Sequence, residues 1–96
     1  MEEVLNIVEI LRAHRKEILR FGVKRCGVFG SASRGELTPG SDVDLFVEFH
    51  DPTFDNFMDL EFYLEDLLGR KVELVCPESL RPSLRRKIEA ELLDVA

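Results

Sequence analysis

Three short apolar runs limit what this chain can become: CGVF at residues 26–29, VDLFVEF at 43–49 and KVELVC at 71–76. Each is too short for a helix and long enough for a strand, with glycine or proline close by as punctuation. Around them the apolar residues change period. Val4, Ile7, Val8, Leu11 and Ile18 recur at helical spacing through about Arg20, until Gly22 stops the run. Phe57, Leu60, Leu64, Leu67 and Leu68 do the same ahead of Gly69. A last stripe of Leu84, Ile88, Leu92 and Val95 follows Pro82, a residue that suits the first turn of a helix. Pro52 excludes a central strand in the segment after Phe49. Residues 30–40 hold three glycines, a proline and two serines, and read as a loop with one short helical turn. The predicted order is α-β-(short α)-β-α-β-α. It describes a single α/β (α+β) domain over residues 1–96, with a small mixed three-stranded sheet flanked by helices.

Composition narrows the function classes. A chain of 96 residues can build one modest core and not two. It has no run of about 18 apolar residues, so no membrane span is expected. The opening MEEVLNIVEI is acidic and lacks the basic start of a secretory signal, which points to the cytoplasm. Cys26 and Cys76 form no C-x-x-C and are expected to be free thiols, a disulfide or metal pair being the alternative. With 13 basic and 19 acidic residues the net charge is −6, which argues against direct nucleic-acid binding through phosphate contacts. His14 and His50 have no ligand spacing.

The chemistry concentrates in "FGSASRGELTPGSDVDLF", residues 29–46. Asp is depleted in strands, yet Asp42 and Asp44 open one. Alternation sends both to the same face, opposite Val43, Leu45 and Val47. Two carboxylates that close repel unless a cation lies between them. An isolated D-x-D more often reflects a turn and a solvated edge, but a hard divalent ion such as Mg²⁺ accounts for the pair. Glu73, between Val72 and Leu74, supplies a third acid that can share that face if the strands are neighbours. A salt bridge from Glu73 to Lys71 or Arg25 is the competing reading.

The preceding loop offers what a metal-bound phosphate requires. Gly30 ends a strand and, lacking Cβ, lets a triphosphate approach the backbone. Ser31 adds a hydroxyl at the start of the predicted short helix, and Arg34 can neutralise a phosphate oxygen with a forked donor. Taken alone, Gly-Ser would be an ordinary tight turn.

Together, Gly30, Ser31, Arg34, Gly35, Ser41, Asp42, Asp44 and Leu45 resemble the signature of the polymerase-β-like nucleotidyltransferase superfamily. The nearest likeness is to its MNT-type minimal nucleotidyltransferases, whose pattern runs G-S-x-x-R-G and then S-D-x-D-L. The resemblance covers the whole domain, with one departure: the third acid, commonly Asp, is Glu73, longer by one methylene. It implies a nucleotidyltransferase fold and in-line transfer of a nucleotidyl group, AMP from ATP, to an oxygen nucleophile. Asp42, Asp44 and Glu73 would be catalytic and would hold two Mg²⁺ ions, while Gly30, Ser31, Arg34 and Ser41 would bind the nucleotide. MNT proteins act as antitoxins of HEPN-type RNase toxins, so the implied acceptor is a hydroxyl, such as a Tyr, on a HEPN-domain partner. So short a chain is expected to complete its site in a hetero-oligomer or homodimer. The acidic 51–69 segment and the basic Arg81, Arg85, Arg86, Lys87 cluster are candidate contact surfaces. Two alternatives stand beside this one: a non-catalytic antitoxin acting by contact, and a nucleotidyltransferase for a small molecule or RNA.

Overall fold

The computed structural model describes residues 2–30 and 42–96, with side chains from Ile7 onward in the first helix. The helical pattern at the start becomes two helices, α1 (Glu2–Ala13) and α2 (Arg15–Leu19), broken at His14 rather than continuous to Arg20. His14 adopts φ −104° and ψ 21°, off the helical track. Gly22 then turns the chain at φ +80°, a conformation open to a residue without Cβ. Strand β1 (Val23–Phe29) starts three residues before the predicted run and β2 (Val43–Phe49) coincides with its own. The predicted short helix between them lies outside the described residues.

Helix α3 (Phe54–Leu68) opens on Thr53, whose hydroxyl accepts from the Asn56 N–H at 3.1 Å, and closes on Gly69 at φ +63°. An N-cap of this kind is worth about 1 kcal/mol. Strand β3 (Val72–Val75) leads through a 3-10 turn (Pro77–Ser79) into α4 (Pro82–Glu91), with Pro82 in its first turn as expected.

The sheet corrects the three-strand expectation. Leu93–Asp94 forms a fourth strand, β4, and the order is β3-β2-β1-β4. β1 runs antiparallel to β2 and β4, while β2 and β3 are parallel. The last apolar stripe therefore runs past the end of its helix, which closes at Glu91. Leu92 ends α4 in extended geometry, and Val95 is buried in the main core beyond it. An apolar run of i, i+4, i+8 cannot by itself distinguish a helix from a helix followed by a short strand.

The two faces of the sheet differ in character. Val43, Leu45, Val47 and Phe49 of β2 join Cys26 and Val28 of β1 under α1, α2 and α3, in a core that holds Leu11, Ile18, Leu60 and Leu64 at zero exposure. Truncating Leu60 to Ala there would cost about 2–5 kcal/mol. Asp44, Phe46 and Glu48 take the opposite face by alternation. Phe46 is fully buried outside the main core, with the Arg25 guanidinium 6.0 Å from its ring centre. α4 packs across this second face, and Leu92 at its end lies so near Gly27 that an added Cβ would come within 2.5 Å of its Cγ.

Side chains occupy backbone groups on the two outer strands. The Val72 N–H of β3 donates to Glu65 Oε2 at 3.1 Å, and the Asp94 carbonyl of β4 accepts from Arg12 Nε and Nη2 at 3.1 and 3.0 Å. Both cysteines are free, Cys26 buried and Cys76 partly so.

Candidate active site

Sheet register brings the acids together. Phe29, the last residue of β1, pairs with Asp44, and Asp44 pairs with Glu73 across the parallel β2–β3 ladder. Residues facing each other in a ladder project to the same side, so the two carboxylates stand side by side on the face that α4 only partly covers. Asp44 is half-buried and Glu73 exposed. Asp42, exposed and one residue ahead of β2, shares their side by the same alternation.

Gly30 belongs to the same construction. Its φ is +71°, and a Cβ built on it would lie 2.7 Å from Asp44 Oδ2. A Cβ there would force the Asp44 carboxylate to shift, so glycine here both makes the turn and leaves room for it. Ser31, Arg34 and Ser41 lie outside the described residues.

The competing reading of Glu73 as a salt-bridge partner does not hold among the described residues. Arg25 Nε is engaged by Asp94 Oδ1 at 3.0 Å, and Glu73 makes no ion pair. A cavity of about 410 Å³ opens between the acids and α4. Gly30, Asp44 and Glu73 form one side of it, and Val75, Leu80, Leu84 and Ile88 an apolar side. Phe29, Lys87 and Glu91 complete the lining.

The residues fit a hard divalent ion. Among the described residues no three His, Cys or acidic side chains close into a metal cage. The arrangement is instead an open one, with carboxylates along one wall and a glycine kept clear of Asp44. Mg²⁺ is held in this manner, through one or two carboxylates with water and phosphate oxygens supplying the rest.

Sequence reading missed the role of α4. Leu84, Lys87, Ile88 and Glu91 are spaced i, i+3, i+4, i+7 and so occupy one helical face, the one that lines the cavity. The available signal was a lysine and a glutamate interleaved with that helix's apolar stripe, where a purely structural face would carry apolar residues.

Comparison with known proteins gives the family and the fold. Residues 8–95 match the family described as nucleotidyltransferase domain. The protein adenylyltransferase MntA of Thermococcus cleftensis is 46% identical over 92 residues, which cover 94% of this chain and 93% of that protein. A solved chain assigned as a minimal nucleotidyltransferase superposes with a TM-score of 0.77 at 40% identity, over 90% of this chain and 93% of that one. A chain from the complex of tri-AMPylated Shewanella oneidensis HEPN toxin with MNT antitoxin has the same fold, with a TM-score of 0.65 at 19% identity, over 93% and 71% of the two chains. A family match over residues 8–95 and a homologue 46% identical over 94% of the chain give the strands that carry Asp44 and Glu73 their place: this chain belongs to the nucleotidyltransferase-domain family.

Proposed function

We propose that this protein is a Mg²⁺-dependent protein adenylyltransferase. It moves AMP from ATP to a hydroxyl, a tyrosine in our reading, on a HEPN-type RNase partner, and so acts as the antitoxin in the cytoplasm. The observation that carries this reading is the register that sets Asp44 beside Glu73 with Gly30 clear of the Asp44 carboxylate. The relatives add direction. The Thermococcus cleftensis homologue is a protein adenylyltransferase, and the Shewanella oneidensis complex holds an AMPylated HEPN toxin.

In this mechanism Asp44 and Glu73, paired across the ladder, would hold Mg²⁺, with Asp42 adding a carboxylate from the same side of β2, and the ion would supply positive charge against the phosphates. The chain's own residues position the rest. Gly30 lets the triphosphate approach the strand end, with Ser31, Arg34 and Ser41 as proposed phosphate and nucleotide contacts. The apolar side made by Val75, Leu80, Leu84 and Ile88 offers the nucleoside a surface to pack against. The acceptor oxygen attacks the α-phosphorus while the bond to the β-phosphate breaks. Positioning of this kind can supply about 7–11 kcal/mol of the barrier.

Intact-mass spectrometry of a co-expressed HEPN partner tests the reading. After incubation with ATP and Mg²⁺ the partner gains one or more AMP units, with none in the Asp42→Asn, Asp44→Asn double variant. Neutralisation of the partner with no mass change would refute transfer and leave inhibition by contact.

A further inference from the structure

We propose that Lys87 is a catalytic residue that stabilises the departing pyrophosphate; this rests on the nucleotide transfer proposed above. Lys87 is the one cation among the described residues lining the acid-bearing cavity. It sits on the helical face of Leu84, Ile88 and Glu91, across from Asp44 and Glu73. Its neighbour Arg85 is committed elsewhere, with Nε 2.9 Å from Glu89 Oε1, whereas Lys87 makes no ion pair among the described residues.

The far side of Lys87 matters as much. Lys87 and Leu84 also form the wall of an adjacent cleft of about 530 Å³, otherwise lined by Ser79, Arg81 and Ser83. That cleft offers a second cation and two hydroxyls, with no acid. An anion released beside Asp44 would meet Lys87 on the way to this cleft. The acids favour the metal-bound reactant, and the lysine meets the charge that appears only as the leaving group departs.

The step balances as follows. A new bond forms between the acceptor oxygen and the α-phosphorus as the α-phosphorus–oxygen bond to the β-phosphate breaks. The bonding pair leaves on pyrophosphate, and the acceptor hydroxyl proton passes to solvent. Charge on the bridging oxygen grows through the transition state, so a cation there lowers the barrier more than it strengthens ground-state binding.

Lys87→Met and Lys87→Arg, on the full chain with its partner, test the proposal. Lys87→Met should lower kcat by about 10²-fold with KM for ATP little changed, and Lys87→Arg should restore most of it. Calorimetry with inorganic pyrophosphate and Mg²⁺ should show about tenfold weaker binding to Lys87→Met, at an unchanged melting temperature. Wild-type kcat and wild-type pyrophosphate affinity in Lys87→Met would overturn the inference. If the wild-type protein transfers no nucleotide, the function proposed above fails, and calorimetry still decides here. Weaker pyrophosphate binding in Lys87→Met upholds the contact, and equal binding removes it. Should Lys87→Met melt early, Lys87→Gln takes its place in both measurements.

Discussion

Replacing Gly30 by alanine separates backbone strain from damage to the site, because the protein carries its own control. Gly69 has a similarly positive φ, +63° against +71°, but a Cβ there meets nothing within 4 Å. A left-handed conformation costs an L-residue about 1–2 kcal/mol, offset by the 0.4–1 kcal/mol that alanine returns by restricting the unfolded chain. Gly69→Ala should therefore lose about 1 kcal/mol, a fall in melting temperature of roughly 4–8 °C for a domain of this size. Activity should be retained. Gly30→Ala carries the same strain and adds a Cβ at 2.7 Å from Asp44 Oδ2, so that oxygen must retreat by about 0.7 Å to reach an ordinary 3.4 Å contact. Misplacement on that scale costs about 10²-fold in rate when the displaced group positions the reacting atoms. Melting curves and AMP transfer to the partner, measured on both variants, give the comparison. If Gly30→Ala matches Gly69→Ala in melting temperature and matches wild type in transfer, Asp44 is not the positioning carboxylate we take it to be.

Three further outcomes are expected. Asp44→Asn should cut transfer by at least about 10²-fold while the fold holds, since shape is kept and repulsion with Glu73 falls; unfolding would show the residue to be structural. Millimolar ATP with Mg²⁺ should raise the melting temperature more than either alone, by the equivalent of about 2.7 kcal/mol at a hundredfold excess over Kd, and an unchanged curve would count against a nucleotide site. Burial, with Asp94 adding to it, pushes the Cys26 thiol from 9.0 up to about 12. The neutral thiol's stabilisation is thus fully present below pH 9 and is lost as pH rises towards 12, at roughly 1.4 kcal/mol per unit. Urea midpoints between pH 8 and 11 should fall more steeply for wild type than for Cys26→Ala, and parallel profiles would refute the assignment.

What could be read in the sequence divides along physical lines. Strand β2 and the C-terminal end of α3 were legible because alternation and a glycine stop act locally. The Asp44–Glu73 neighbourhood was legible only as a condition, since adjacency of β2 and β3 is a property of the sheet. β4 was not: two residues carry no period, and pairing with Gly27 and Val28 depends on α4 ending where Leu92 meets the sheet. In the sequence Lys87 reads as part of a basic contact surface, because only the packed helix shows which way it faces. The break at His14 has no signal that we can identify in the flanking residues.

The side chains on the outer strands bear on how a partner is met. A sheet with open margins invites a foreign strand to pair along it, which is a route to both recognition and aggregation. Here Glu65 fills the Val72 N–H on one flank and an arginine fork fills the Asp94 carbonyl on the other. The strands beneath them are only four and two residues long. A protein arriving at this sheet would find too little free backbone to extend it. Recognition must then run through side chains and helix faces, where substitutions on the partner are read one at a time, so a cognate pair could diverge from its neighbours without either chain changing its fold.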